Sequence, residues 1–125
     1  MLFSIALGGA VGTLARFWLG GLAQRVSAGF PFGTLAINIV GSFLLGFLMR
    51  YLLGTTASPE LRASLTIGFC GGFTTFSTFS YETAMLIESG SYARAVAYVV
   101  ASVIVALLAT VCGFWAARAL TAPAH

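Results

Sequence analysis

Leu61-Arg62-Ala63-Ser64-Leu65-Thr66-Ile67-Gly68-Phe69-Cys70-Gly71-Gly72-Phe73-Thr74-Thr75-Phe76-Ser77-Thr78-Phe79-Ser80-Tyr81-Glu82 is apolar enough to lie in a bilayer, yet its second half is crowded with hydroxyls. The adjacent Gly71 and Gly72 each weaken a helix by about 1 kcal/mol relative to alanine. Thr74, Thr75, Ser77, Thr78 and Ser80 follow, with side chains that compete for backbone hydrogen bonds. Five hydroxyls within seven residues do not suit a lipid-facing helix. The pattern predicts a break near Gly72, leaving two half-helices too short to span a membrane alone. Non-helical backbone at that depth is tolerated only inside protein or beside water or ions. Half-helix ends also present partial charges and unpaired N–H or C=O groups to ions. An intramembrane ion site is the functional reading, and a merely kinked helix whose hydroxyls bond back to its own carbonyls is the structural one.

Working outward, three further apolar stretches surround this one. A helix needs about 20 residues to cross a hydrocarbon core of roughly 30 Å. The expected spans are residues 2–22, 33–53, 61–87 and 93–120, forming a single four-span membrane domain over residues 1–125. Short loops separate them: Ser27 to Pro31, Gly54 to Pro59, and Glu88 to Ser91. Ser58 before Pro59 and Glu60 reads as the N-cap of a helix. Composition agrees: 59% of the 125 residues are hydrophobic and 7% charged, with a mean hydropathy of +1.01, whereas soluble domains carry about 25% charged residues. Gly21-Leu22-Ala23 loosely resembles a signal-peptide cleavage site, but no Lys or Arg precedes the apolar run. A net charge of +3 spread over so few groups makes no basic patch, so no nucleic-acid partner is expected. Cys70 and Cys112 lie inside apolar runs without metal or disulfide spacing, and the single His is His125. No nucleophile–base pair or metal cluster suggests an enzyme.

Gly8 and Gly12 in the first span, and Gly68 and Gly72 in the third, are small-xxx-small pairs that let helix backbones approach closely. The arginines divide three against three. Arg50, Arg62 and Arg118 fall on the side of the N-terminus, the second loop and the C-terminus; Arg16, Arg25 and Arg94 fall on the other. Orientation normally follows an excess of Lys and Arg on the cytoplasmic side. A balanced chain can insert both ways and form an antiparallel homodimer. Asn38, with Ser42 one turn on, is either an anion donor or a glue between helices. Tyr98 and Ser102 are four apart and share a face with Ala106. Glu82 is a functional candidate if it lies within the membrane, and a solvated helix-end charge if it lies at the interface.

Gly71-Gly72-Phe73-Thr74-Thr75-Phe76-Ser77-Thr78-Phe79 resembles the signature of the Fluc (CrcB-type) fluoride channels. The likeness covers the whole chain, including Gly33-Thr34-Leu35-Ala36-Ile37-Asn38 at the start of the second span. It implies an all-α membrane protein with four transmembrane helices per chain, the third broken mid-membrane, assembled as an antiparallel dual-topology homodimer. It further implies a passive fluoride channel in the plasma membrane (the bacterial inner membrane), with two pores and a central structural sodium ion at the dimer interface. Phe76 and Phe79 would line the pore, Asn38 would be its asparagine, and Tyr98 and Ser102 its polar track, with Ala106 where related channels can carry a third hydroxyl. The backbone carbonyls of Gly71 and Thr74 would hold the sodium.

These residue types suit a small, tightly hydrated anion. Asn38, Thr75, Ser77, Thr78 and Tyr98 can replace its water as donors. Ring edges carry the positive part of the aromatic quadrupole, so Phe76 and Phe79 can face an anion without a full charge. Conduction needs binding weak enough to release. The alternative is a small multidrug-resistance-type proton-coupled transporter, but those rely on a carboxylate in the first span, which here has none.

Overall fold

In the computed structural model, residues 1–26 and 29–121 are described; Ser27 and Ala28 of the first loop, and His125, lie outside the described residues. Every element among the described residues is helical, with no strand. Helix α1 covers Leu2–Gln24 and α2 covers Phe32–Leu53. The third apolar stretch is composite: α3 (Pro59–Ala63), a π-helical run (Ser64–Cys70), α4 (Gly71–Phe73) and, beyond an interruption, α5 (Phe76–Glu88). Helix α6 runs from Tyr92 to Thr121. Helices α1, α2 and α6 are each long and apolar enough to cross a membrane. Phe3, Phe17, Leu107 and Leu120 point outward at 63–77% exposure, so the apolar surface faces out, as a lipid solvent permits.

The N-cap of α3 is as expected, with the Ser58 hydroxyl accepting from the Leu61 amide at 3.2 Å. The break is not where the glycine pair put it. Gly71 is helical (φ −64°, ψ −38°), and the chain leaves the helix at Thr74 (φ −82°, ψ 159°) and Thr75 (φ −152°, ψ 114°). The helical weakness of glycine is overridden at Gly72 by packing. A methyl group there would run into the Gly9 carbonyl oxygen, so the backbone of α4 is laid directly on α1.

The small-xxx-small pairs do what the spacing predicts. A methyl group at Gly8 would meet the Ser64 carbonyl, one at Gly12 the Phe69 carbonyl, and one at Gly68 the Ile5 carbonyl. Backbone therefore touches backbone where α1 crosses the π-helical run. A second close pair joins α2 to α6, with Gly46 against the Thr110 carbonyl and Gly113 against that of Phe43. Arg94, in the first turn of α6, donates to the Gly29 carbonyl just ahead of α2 at 3.2 Å. Helices α2 and α6 thus start on one side and run parallel, which sets Asn38 level with Ser102.

Candidate functional site at the helix break

At the interruption, two consecutive peptide groups leave the helical ladder and must find partners elsewhere. Asn38 supplies them. Its Oδ1 accepts from the Thr75 amide at 2.8 Å and its Nδ2 donates to the Thr75 carbonyl at 3.0 Å. The amide that would have closed a turn onto Gly71 is thereby drawn across to α2. Of the two readings of Asn38 left open by sequence, glue is the one the hydrogen bonds display, and one N–H of the amide remains beyond that pair.

Thr75 is also the N-cap of α5: its Oγ1 accepts from the Thr78 amide at 3.3 Å and donates to Thr78 Oγ1 at 3.0 Å. The 13-residue α5 thus begins at the break, with the positive end of its dipole beside the buried Thr75. Arg16 adds to that charge. Its Nη1 donates to the Thr74 carbonyl at 3.3 Å, and the residue is half-buried. Sequence reading counted Arg16 as a charge of one membrane side. Its guanidinium instead stands at the break, so the loops and helix ends carry three arginines against two.

Glu82 is no solvated helix-end charge. Its Oε1 accepts from the Thr34 hydroxyl at 2.8 Å and its Oε2 from the Tyr98 hydroxyl at 2.6 Å, tying α5 to α2 and α6. The only hydroxyl proton of Tyr98 is committed to that carboxylate, so Tyr98 can donate to an anion only by releasing Glu82. Tyr98 is fully buried and meets the Phe79 ring at 5.2 Å and 61°, edge to face. The Phe79 and Phe76 rings are 5.4 Å apart and tilted by 51°. Phe79 is 9% exposed and Phe76 77%.

Two cavities flank the break. One, of about 250 Å3, includes Asn38, Thr74, Thr75, Phe76, Phe79 and Ser102 in its lining. Ser102 is buried, and its hydroxyl has no partner among the described residues. The other, of about 370 Å3, brings together Arg16, Gln24, Thr34, Thr75, Thr78 and Glu82. Thr75 is the residue common to both. Ser77 lines neither; it is exposed, with its hydroxyl 3.3 Å from that of Thr75. Arg16, noted from sequence only as a charge of one side, and Thr34 were not among the expected site residues, although each left a signal. Arg16 is an arginine deep in an apolar span without a local acid, and Thr34, Asn38 and Ser42 repeat at four-residue spacing along one face of α2.

Gly71 and Thr74 offer backbone carbonyl oxygens, donors that suit a hard monovalent cation. No group of His, Cys, Asp and Glu among the described residues could hold a metal. The Thr74 oxygen already accepts from Arg16, and a carbonyl keeps a second lone pair. Gly71 is exposed and a methyl group there would meet nothing in this chain, so this face of the helix is uncovered. The residues fit such an ion.

With this geometry in place, comparison with known proteins is informative. Residues 3–114 match the model of the family described as "CrcB-like protein, Camphor Resistance (CrcB)". A protein of Geobacter metallireducens named "Fluoride-specific ion channel FluC" is 54% identical over 119 residues, covering 94% of this chain and 96% of its own. Proteins of the same name from Geobacter sulfurreducens and Sorangium cellulosum are 52% and 50% identical, over 95% and 96% of this chain and 98% and 96% of theirs.

Proposed function

The chain belongs to the CrcB-like family, a multi-pass ion channel and not an enzyme, and from that premise we propose that it is a passive fluoride-selective channel of the plasma membrane. The observation that carries the proposal is the cavity beside the break, where the unpartnered Ser102 hydroxyl lies with Asn38, Phe76 and Phe79. A lining of hydroxyls, an amide and two phenylalanines without an arginine among them suits an anion that must shed water and still leave. The α5 N-terminus and Arg16 supply positive potential nearby, and Thr75 stands between the two cavities. In this reading α3 through α5 together make the remaining crossing of a four-span domain.

The active form is an antiparallel homodimer. Near-balanced arginines support two-way insertion, and the open face at Gly71 supports close approach of a second copy. The Gly71 and Thr74 carbonyls of the two copies would hold a sodium ion, which when bound supplies a fixed positive charge and ties the copies together.

The test is ion efflux from liposomes containing the purified chain. Fluoride should leave rapidly under its own gradient while chloride is retained, with no need for a proton gradient. Equal chloride efflux, or fluoride movement only when protons are driven, would overturn the proposal.

A further inference from the structure

Remote from the break, α2 and α6 end side by side, each with an arginine in its last turn: Arg50 and Arg118. The groove between them has a volume of about 430 Å3 and is lined by Met49, Arg50, Leu53, Phe114, Trp115 and Arg118. The other arginines given partners by the fold are spent on backbone: Arg62 on the Thr55 and Ala57 carbonyls, Arg94 on Gly29, Arg16 on Thr74. Arg50 and Arg118 are exposed, and their guanidinium groups have neither a hydrogen-bond nor an ion-pair partner among the described residues. Two unneutralised cations therefore flank one apolar groove at the level where spanning helices end. Trp115, 65% exposed, adds the aromatic side chain that favours the membrane–water interface.

We propose that this groove is a binding site for an anionic phospholipid. The phosphate would lie between the two guanidinium groups, whose planar donors match its oxygens. One acyl chain would descend along Met49, Leu53 and Phe114, with the Trp115 indole at headgroup depth. Charge complementarity selects the occupant: a zwitterionic lipid brings its own cation to a site that already holds two. Complementing the C-terminal dipoles of α2 and α6 accounts for one positive charge at each helix end, but not for an apolar channel opening between them. Basic pockets between membrane helices bind anionic headgroups in this way. The site stands apart from both cavities at the break, and the proposal does not depend on what ion the protein passes.

Trp18 and Trp115 are the only tryptophans, so Trp18→Phe leaves Trp115 as sole reporter. The full chain carrying this change is reconstituted in phosphatidylcholine vesicles containing increasing fractions of acyl-brominated phosphatidylglycerol or acyl-brominated phosphatidylcholine. Brominated phosphatidylglycerol should half-quench Trp115 at a roughly fivefold lower mole fraction than brominated phosphatidylcholine. Arg50→Gln with Arg118→Gln should erase that difference, and Arg50→Lys with Arg118→Lys should keep part of it; gel filtration shows whether each variant is folded. Equal quenching by the two lipids, or a preference that survives the double glutamine change, overturns the proposal. So does a Trp115 that neither lipid quenches, since the groove would then be covered by protein.

Discussion

Asn38 gives both ends of its amide to Thr75, and this exchange sets what substitution there does. Asn38→Asp keeps the acceptor for the Thr75 amide but turns a carboxylate oxygen against the Thr75 carbonyl. The change should therefore abolish fluoride efflux and also cost about 1–3 kcal/mol of stability, read as an earlier midpoint in denaturant titration of the purified protein. Full efflux at unchanged stability would show that the amide pairing is dispensable. The two phenylalanines should separate in the same assays. Phe76 is largely exposed in the single chain, whereas Phe79 is buried between Phe76 and Tyr98. Phe76→Ile should cut fluoride flux steeply with stability near wild type. Phe79→Ile should cut it as steeply and lose about 1 kcal/mol from the broken aromatic pair. Wild-type flux with isoleucine at both positions would leave the rings with a packing role only. Much of this site was legible beforehand because polar groups in an apolar span are few and each needs a reason. What sequence did not disclose is which groups are spent on one another. Tyr98 reads as a free donor until Glu82 is found 2.6 Å away, and the two are 16 positions apart on separate helices.

At the scale of elements, the glycines sort by what surrounds them. Gly12→Ala places a methyl group against the Phe69 carbonyl, which belongs to backbone and cannot rotate away. It should destabilise the crossing of α1 over the π-helical run by about 1–3 kcal/mol, measured as loss of folded yield and of denaturant resistance. Alanine there with unchanged resistance would mean that the two backbones can separate at no cost. Gly71→Ala meets nothing in its own chain, so folded yield should persist while dimer formation, followed by crosslinking in membranes, is lost. The long helices and their crossing points were readable because length, hydropathy and four-residue spacing are local properties of the chain. The seven-residue π-helical run was not, since its hydrogen-bond shift leaves no distinctive composition. The break, expected near Gly72, falls at Thr74 and Thr75 for a related reason: propensity measures how easily a helix yields, not where another helix offers the hydrogen bonds to replace it.

For the whole molecule, orientation is the property that charge decides. Arg16 is withdrawn to the break, and the remaining arginines stand three against two, the near-balance on which the proposed two-way insertion rests. A cysteine introduced at Ser89, in a background lacking Cys70 and Cys112, should be labelled in part from each side of the membrane. Labelling from one side only would refute two-way insertion and with it the antiparallel dimer. The Asn38–Thr75 exchange carries a consequence for how the molecule is made. Within residues 59–88 the Thr75 hydroxyl caps the Thr78 amide, but the amide and carbonyl of Thr75 itself are paired with Asn38 of α2, so as an isolated membrane peptide the segment should close into one continuous helix. The interruption is then acquired rather than inherited. On that account it is expected to form when the segment packs on α2 and Asn38 takes up the Thr75 peptide groups; circular dichroism of the isolated peptide in lipid vesicles should show the unbroken helix, and a break retained there would refute the idea.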